Sequence, residues 1–230
     1  MQIVIDKLFA GEPAPLGPRG APSAICKRPI EGPWIVTADG LVGDAQGDRV
    51  NHGGLEKALH HYPQDHYASW ARELPILAET LAEVPAFGEN ISTIGLTEAD
   101  VCIGDIFRVG GVTLQIAQGR QPCWKLNARF GIEDMAVRVQ RTGRTGWYYR
   151  VVEPGRIVPG DGLKQLDRLH PEWPLSRITA LLYERTLAFD ELAALAQLPE
   201  LADGWRRLAE RRIKSRSVES WQSRLEGSES

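Results

Sequence analysis

Short segments of alternating apolar and polar residues fill the first two-thirds of the chain, broken repeatedly by glycine and proline. Ile3, Ile5 and the stretch to Phe9 predict a strand, followed by a loop through Pro13, Pro15, Gly17, Pro18 and Gly20. Ser23–Pro29 and Pro33–Thr37 predict two more strands, the second closing at the Asp39-Gly40 turn signal. Asp65–Leu74 has helical character, with an acid at its start and Pro75 beyond its end. Phe87–Ser92 reads as extended. Asp105–Val109 and Val112–Ala117 flank Gly110-Gly111, a hairpin signal. Trp124–Phe130 and Glu133–Arg141 predict short helices separated by Gly131, and Gly146–Val152 (GWYYRVV) is the most strand-like run of all. A last strand is expected near Leu163–Leu169.

The pattern changes after Pro171 and Pro174. Ser176 can cap a helix with Ile178, Leu181 and Leu182 on one face. Asp190 can cap a second carrying Leu192 and Leu195, and Asp203 a third lined by Trp205, Leu208 and Ile213. Many short strands with few helices between them favour a compact barrel or mixed sheet over a doubly wound fold. The fold class expected is therefore α+β: a β-rich, barrel-like domain over residues 1–170 and a small three-helix domain over 171–226.

Composition narrows the class of protein. With 230 residues, 43% hydrophobic and 25% charged, the chain can bury a real core. Its net charge of −3 gives no global pull toward nucleic acid or a membrane surface. No apolar run approaches the ~20 residues that span a bilayer. The opening Met1–Lys7 lacks the features of a signal peptide and reads as a strand. Only Cys26, Cys102 and Cys123 occur, too few and too scattered for a disulfide framework or an iron–sulfur cluster. A reducing compartment, the cytoplasm, follows as the expectation.

The candidate chemistry centres on a thiol. In Gln118–Leu126, Pro122 removes a backbone donor and disfavours helix before it, so Cys123 falls at or near a helix start. Nearby amides, with Arg120 or Lys125, would favour a thiolate, which can ligate a thiophilic metal or act as a nucleophile. Cys102, inside Val101-Cys102-Ile103, reads as a small buried apolar residue, and Cys26 as structural. Upstream, Gly43–His66 gathers four of the five histidines. Gly53-Gly54 would let backbone amides approach an anion, and Arg49, His52 and Lys57 could donate to phosphate oxygens. His61 and His66 read as satisfied surface histidines following a turn. Glu89 and Asn90 lie between Gly88 and an apolar strand; Lys27-Arg28, in a predicted strand, either aim one cation inward, where it needs an anionic partner, or are two solvated charges on an edge strand. The run Arg206–Arg216 is the one basic cluster; a solvated helix face is the first reading and a nucleic-acid reader the sharper one, opposed by the overall charge.

Taken in order, GDAQGDRVNHGGLEKAL-HHYP (Gly43–Pro63), FGENIS (Phe87–Ser92), VCIGDIFRVG–LQIAQGRQPCWKL (Val101–Leu126) and the three-helix tail resemble the MOSC domain, named for the C-terminal domain of molybdenum-cofactor sulfurases, in its YiiM-like branch. The resemblance implies a β-rich barrel-like fold with an added three-helix domain. It implies a molybdenum–pterin cofactor, which can be lost on purification, with Cys123 as protein ligand to the metal. It implies reduction of N-hydroxylated compounds such as hydroxylaminopurines, with Cys123, His52 and His60 catalytic. Lys27, Arg49, Asn51, His52, Gly53, Gly54, Tyr62, Glu89, Asn90 and Arg120 are then the cofactor-binding set. His52 or His60, with pKa values near neutral, would carry protons. Without a flavin fingerprint or enough cysteines for a cluster, a separate electron-donating reductase is the expected partner, with no nucleic acid and no membrane. The oligomeric state stays open, a homodimer included. In one departure, Gly119 precedes Arg120 where the family motif usually has Pro, which loosens the loop. The alternative function is sulfur transfer, with Cys123 carrying a persulfide and no metal.

Overall fold

The structure is a computed structural model that describes residues 3–45, 53–82 and 84–227. Six antiparallel strands form a curled half-barrel in the order β1-β13-β9-β10-β11-β8. Their ranges are β1 Ile3–Ile5, β13 Asp161–Asp167, β9 Ile106–Val109, β10 Val112–Gly119, β11 Trp147–Glu153 and β8 Leu59–His61. The Gly110-Gly111 hairpin forms as expected, pairing Val109 with Val112. A three-stranded sheet, β12-β6-β7 (Gly155–Ile157, Trp34–Thr37, Gly40–Leu41), completes the wall. Two further antiparallel pairs are β2 (Leu8–Ala10) with β5 (Arg28–Ile30) and β3 (Ala14–Leu16) with β4 (Ala21–Ser23).

Three expectations need correction. The strand Ile3–Phe9 is two strands, because Asp6 and Lys7 are exposed and the halves join different partners, β13 and β5. The segment Ser23–Pro29 is likewise interrupted, and the Ala24–Lys27 gap carries Lys27. The proline-rich loop after Pro13 is a β3–β4 hairpin. Its partners include Pro15 and Pro22, which a two-stranded pair tolerates because each strand has an outer edge that needs no donor.

The helices are α1 (Asp65–Glu73), α2 (Lys125–Phe130), α3 (Met135–Thr142), α4 (Leu175–Tyr183), α5 (Phe189–Ala196), α6 (Asp203–Ser215) and α7 (Gln222–Glu226). Helices α4, α5 and α6 do not sit apart from the sheet. Trp147, Tyr149 and Ile116 belong to the same apolar cluster as Ile178, Leu192, Trp205 and Leu208. Backbone bonds stitch the join, Leu175 N to Val101 O and Ala202 N to Ala117 O, both at 2.9 Å. A second cluster, built on Tyr62, Trp70, Phe87, Leu126 and Leu225, lies behind the Cys123 loop. No helix among the described residues is long and apolar enough to cross a membrane.

The basic run of α6 does not present one continuous face. Arg206 donates to the carbonyls of Leu198 and Leu201 at the α5–α6 turn, at 2.9 and 3.0 Å. Arg212 is 1% exposed, paired with Glu219 at 2.7 Å. Both are spent inside the fold.

His61 and His66 are satisfied as expected but not at the surface: β8 buries His61 fully, His66 is half-buried, and both are held by protein partners. His66 meets Glu98 at 2.7 Å, and His61 lies between Tyr149 Oη at 3.1 Å and Thr93 Oγ1 at 2.8 Å. Burial drives the His61 pKa from an ordinary 6.5 down to about 3. The unfolded chain therefore binds more protons between those values, and stability falls as pH drops through that window. Between about pH 7 and pH 5 this group alone should remove about 2 kcal/mol. Urea unfolding at the two pH values measures it, and His61→Gln should remove that part of the slope. Equal stability at both would refute a neutral buried ring.

Candidate functional site

Strand β10 delivers the thiol. Its pairing with β11 ends at Gly119, and Arg120 N adds one more bond to Gly146 O at 3.0 Å. Pro122 has no amide with which to extend the ladder, so the chain turns through Cys123 into α2. Gly119 now has a physical reason: a Cβ there would sit 2.9 Å from the ring of Trp205 in α6. The helical region occupies the space a larger residue would need.

Cys123, 6% exposed, lies on the wall of a cleft of about 610 Å³, counted with its open mouth. Lys27, His60, Asn90 and Arg120 share that wall, so five of the residues expected from sequence come together. Lys27 donates from Nζ to Asp44, and burial lowers its pKa while Asp44 pulls it back up. Asp44 is the anionic partner that an inward lysine requires. Its other oxygen accepts from Asn90 Nδ2 at 2.8 Å. Asn90 also donates to Phe9 O and accepts from His60 N, each at 2.9 Å. Its amide donors are committed, so it positions its neighbours. Arg120 Nη1 donates to Phe87 O at 2.6 Å.

His60 differs from the near-neutral group expected. Burial pushes its pKa well below the usual value, and the cations Arg120 and Lys27 push it the same way, against a backbone hydrogen bond to Gly88. The ring is neutral at pH 7, and its buried Nε2 has no hydrogen-bond partner among the described residues.

Two expected residues stand behind the wall. Tyr62 is fully buried, stacked on Phe87 at 4.0 Å, with its hydroxyl accepting from Trp70 Nε1 at 2.7 Å. Glu89, also fully buried, accepts from Tyr67 Oη and from Phe87 N, and burial raises its pKa. Both brace the Phe87–Gly88 turn. Gly53 and Gly54 are not in the cleft wall; Gly54, at φ 99°, opens the 3-10 turn Leu55–Lys57 that brings Lys57 to it. Arg49, Asn51 and His52 lie outside the described residues.

Lys125 and Lys57, read from the sequence as cations for the thiolate and for phosphate, line the cleft too, and Asp44 and Tyr148 line it without having been expected. Tyr148 was available from alternation: Trp147 and Tyr149 are fully buried in the core, which turns Tyr148 to the opposite face beside its cross-strand partner His60. Their rings are 4.9 Å apart.

The donor set fits an anionic group that brings metal ligands of its own. The cleft offers one sulfur, a neutral imidazole nitrogen with no hydrogen-bond partner among the described residues, and the cations Lys27, Lys57, Arg120 and Lys125. Among the described residues no group of three or more His, Cys, Asp or Glu is placed to hold a metal ion. A bare ion would lack ligands here; a cofactor with its own sulfurs and phosphate would not.

Residues 48–164 match the MOSC domain, and residues 173–216 match the YiiM-like, 3-alpha helix domain. Protein YiiM of Escherichia coli is 41% identical over 210 residues, covering 91% of this chain and 93% of that protein. A Gibberella moniliformis protein named Reductase is 38% identical over 84% of this chain, which corresponds to 34% of its own length. The crystal structure of Escherichia coli YiiM superposes with a TM-score of 0.83 at 34% identity, covering 98% of both chains. That of YiiM from Geobacillus stearothermophilus gives 0.75 at 29% identity, covering 92% of this chain and 99% of that one.

Proposed function

The chain belongs to the MOSC-domain family, in its YiiM-like branch, and on that premise we propose that it is an oxidoreductase that holds a molybdenum–pterin cofactor and removes oxygen from N-hydroxylated compounds such as hydroxylaminopurines. The observation that carries the reading is the Cys123 thiol on the wall of a cation-lined cleft. The relative named Reductase supports the redox class. When bound, the cofactor supplies dithiolene sulfurs and a redox-active metal able to accept oxygen from an N–OH group.

The protein's part is placement and charge. Cys123 contributes a further sulfur, and Lys27, Lys57, Arg120 and Lys125 attract the phosphate. Asp44 and Asn90 fix Lys27 and the His60 backbone, so the pocket keeps its shape. His60 is neutral and acts by hydrogen bonding, holding one ring proton and offering its other nitrogen. Electrons come from a separate donor protein. A cytoplasmic setting is part of the proposal; none of the three cysteines forms a disulfide.

The test is elemental analysis of protein made in a cofactor-sufficient host, followed by assay with a hydroxylaminopurine. Stoichiometric molybdenum and amine formation with an artificial one-electron donor, but none with NAD(P)H alone, are expected. Steady turnover with NAD(P)H alone would overturn the separate donor. Protein lacking molybdenum, yet gaining one sulfur on Cys123 from a cysteine desulfurase, would replace the reading with sulfur transfer.

A further inference from the structure

Beyond α6 the chain returns to the thiol. Residues 217–227 lie outside both matched regions, yet they end against the Cys123 loop. Leu225 is buried in the cluster behind it, Asn127 Nδ2 donates to Leu225 O at 2.8 Å, and Arg19 donates to Gly227 O. One residue of this strap touches the loop twice. The Arg224 guanidinium donates through Nη1 to Pro122 O, and the Trp124 amide donates to Arg224 O at 2.8 Å. Arg224 Nη2 is anchored on Gln140 Oε1 of α3 at 2.6 Å.

We infer that Arg224 is a positioning residue for the Cys123 thiol. The carbonyl of Pro122 belongs to the peptide plane before Cys123, and the amide of Trp124 to the plane after it. Fixing both planes fixes φ and ψ of Cys123, and hence the direction of its Cα–Cβ bond. Only χ1 remains for the sulfur to choose. The proline cannot help, since it has no amide to anchor the loop from within. One side-chain bond and one main-chain bond between Arg224 and the loop do that work, with Gln140 holding the guanidinium in place, and Lys in place of Arg cannot fork to Pro122 and Gln140 together. The inference matters for function because Cys123 is read as the working thiol, but its test needs no cofactor.

In cofactor-free full-length protein, iodoacetamide labelling of each cysteine is followed by mass spectrometry. Exposed Cys26 reacts first in every variant, and buried Cys102 serves as a reference. Arg224→Met should label Cys123 about tenfold faster than wild type, the scale set by loss of a charged hydrogen bond, with Cys102 unchanged. Hydrogen exchange of the Trp124 amide should accelerate with it. Arg224→Lys should fall between, and Gln140→Ala, which removes only the anchor, should shift Cys123 in the same direction by less. Arg206→Met, a control elsewhere in the helical region, should leave Cys123 labelling unchanged. Unaltered labelling in Arg224→Met, or an equal rise at Cys102 and Cys123, would overturn the inference. A Cys123→Ala protein that keeps its molybdenum would sink the ligand reading and leave this one standing.

Discussion

Cys123→Ala protein from a cofactor-sufficient host should retain molybdenum at least about 100-fold more weakly than wild type, taking loss of a ligand to cost no less than loss of its supporting contacts. Hydroxylamine reduction should fall with it to background. The substitution is mild for the fold: a small, nearly buried side chain loses one sulfur, and the loop keeps its bonds from Arg224 and to Gly146. Destabilisation of about 1 kcal/mol is expected. Metal content and melting temperature, measured on the same preparation, separate the two effects. Cys123→Ser keeps the shape but offers a hard oxygen, and should also fail to hold the metal. Full metal occupancy in the alanine variant would end the ligand assignment.

Gly146→Ala should lower stability by roughly 3–4 kcal/mol and the melting temperature by about 10 °C. Gly146 adopts φ 67°, and a Cβ there would lie 2.3 Å from His61 O and 3.1 Å from His60 Nε2. Backbone is not a flexible neighbour, so β8 and β11 must part. The same glycine donates to Glu98 at 2.6 Å and accepts the amide of Arg120 at 3.0 Å, so the loop's first anchor moves with it. Gly160→Ala is the comparison, since its φ is 91° but its Cβ would meet nothing within 4 Å. That change should cost only the backbone term, about 1–2 kcal/mol. Thermal unfolding of both decides the matter; equal losses would show that the crowding at His61 relaxes away.

Elements whose signals are local were readable. The Gly110-Gly111 hairpin, α1 and the GWYYRVV strand carry their turn residues or alternation within themselves. Strand β8 was not, because Leu59–His61 is three residues long and two of them are histidines. The helix starts were displaced for a similar reason. Pro174, Ala188 and Ala202 hold the cap positions, and no side-chain cap bond forms at any of them. The amide of Asp203 is satisfied instead by Glu56, 147 positions away, at 3.0 Å. Periodicity has no access to such a partner. In the site, the thiol loop followed from residue chemistry; the inward lysine did not follow from strand alternation, since Lys27 lies in the gap between β4 and β5, and Tyr62 and Glu89 sit one layer back because Phe87 stands in front of them. The α7 strap left no signal: five residues form its helix, and the partners Arg224 finds, Pro122 O and Gln140 Oε1, are 102 and 84 positions away.

The pairing of Ile3 with Leu163 sets an order of events for a molecule made from one end. Strand β1 cannot pair until β13 has emerged. Partners so distant in the chain close slowly, because the loop entropy is lost before the contacts form. The cleft, whose lining runs from Ser23 to Tyr148, has its whole wall only once β11 has left the ribosome. On the function proposed above, a large anionic cofactor would meet a complete wall only after that point.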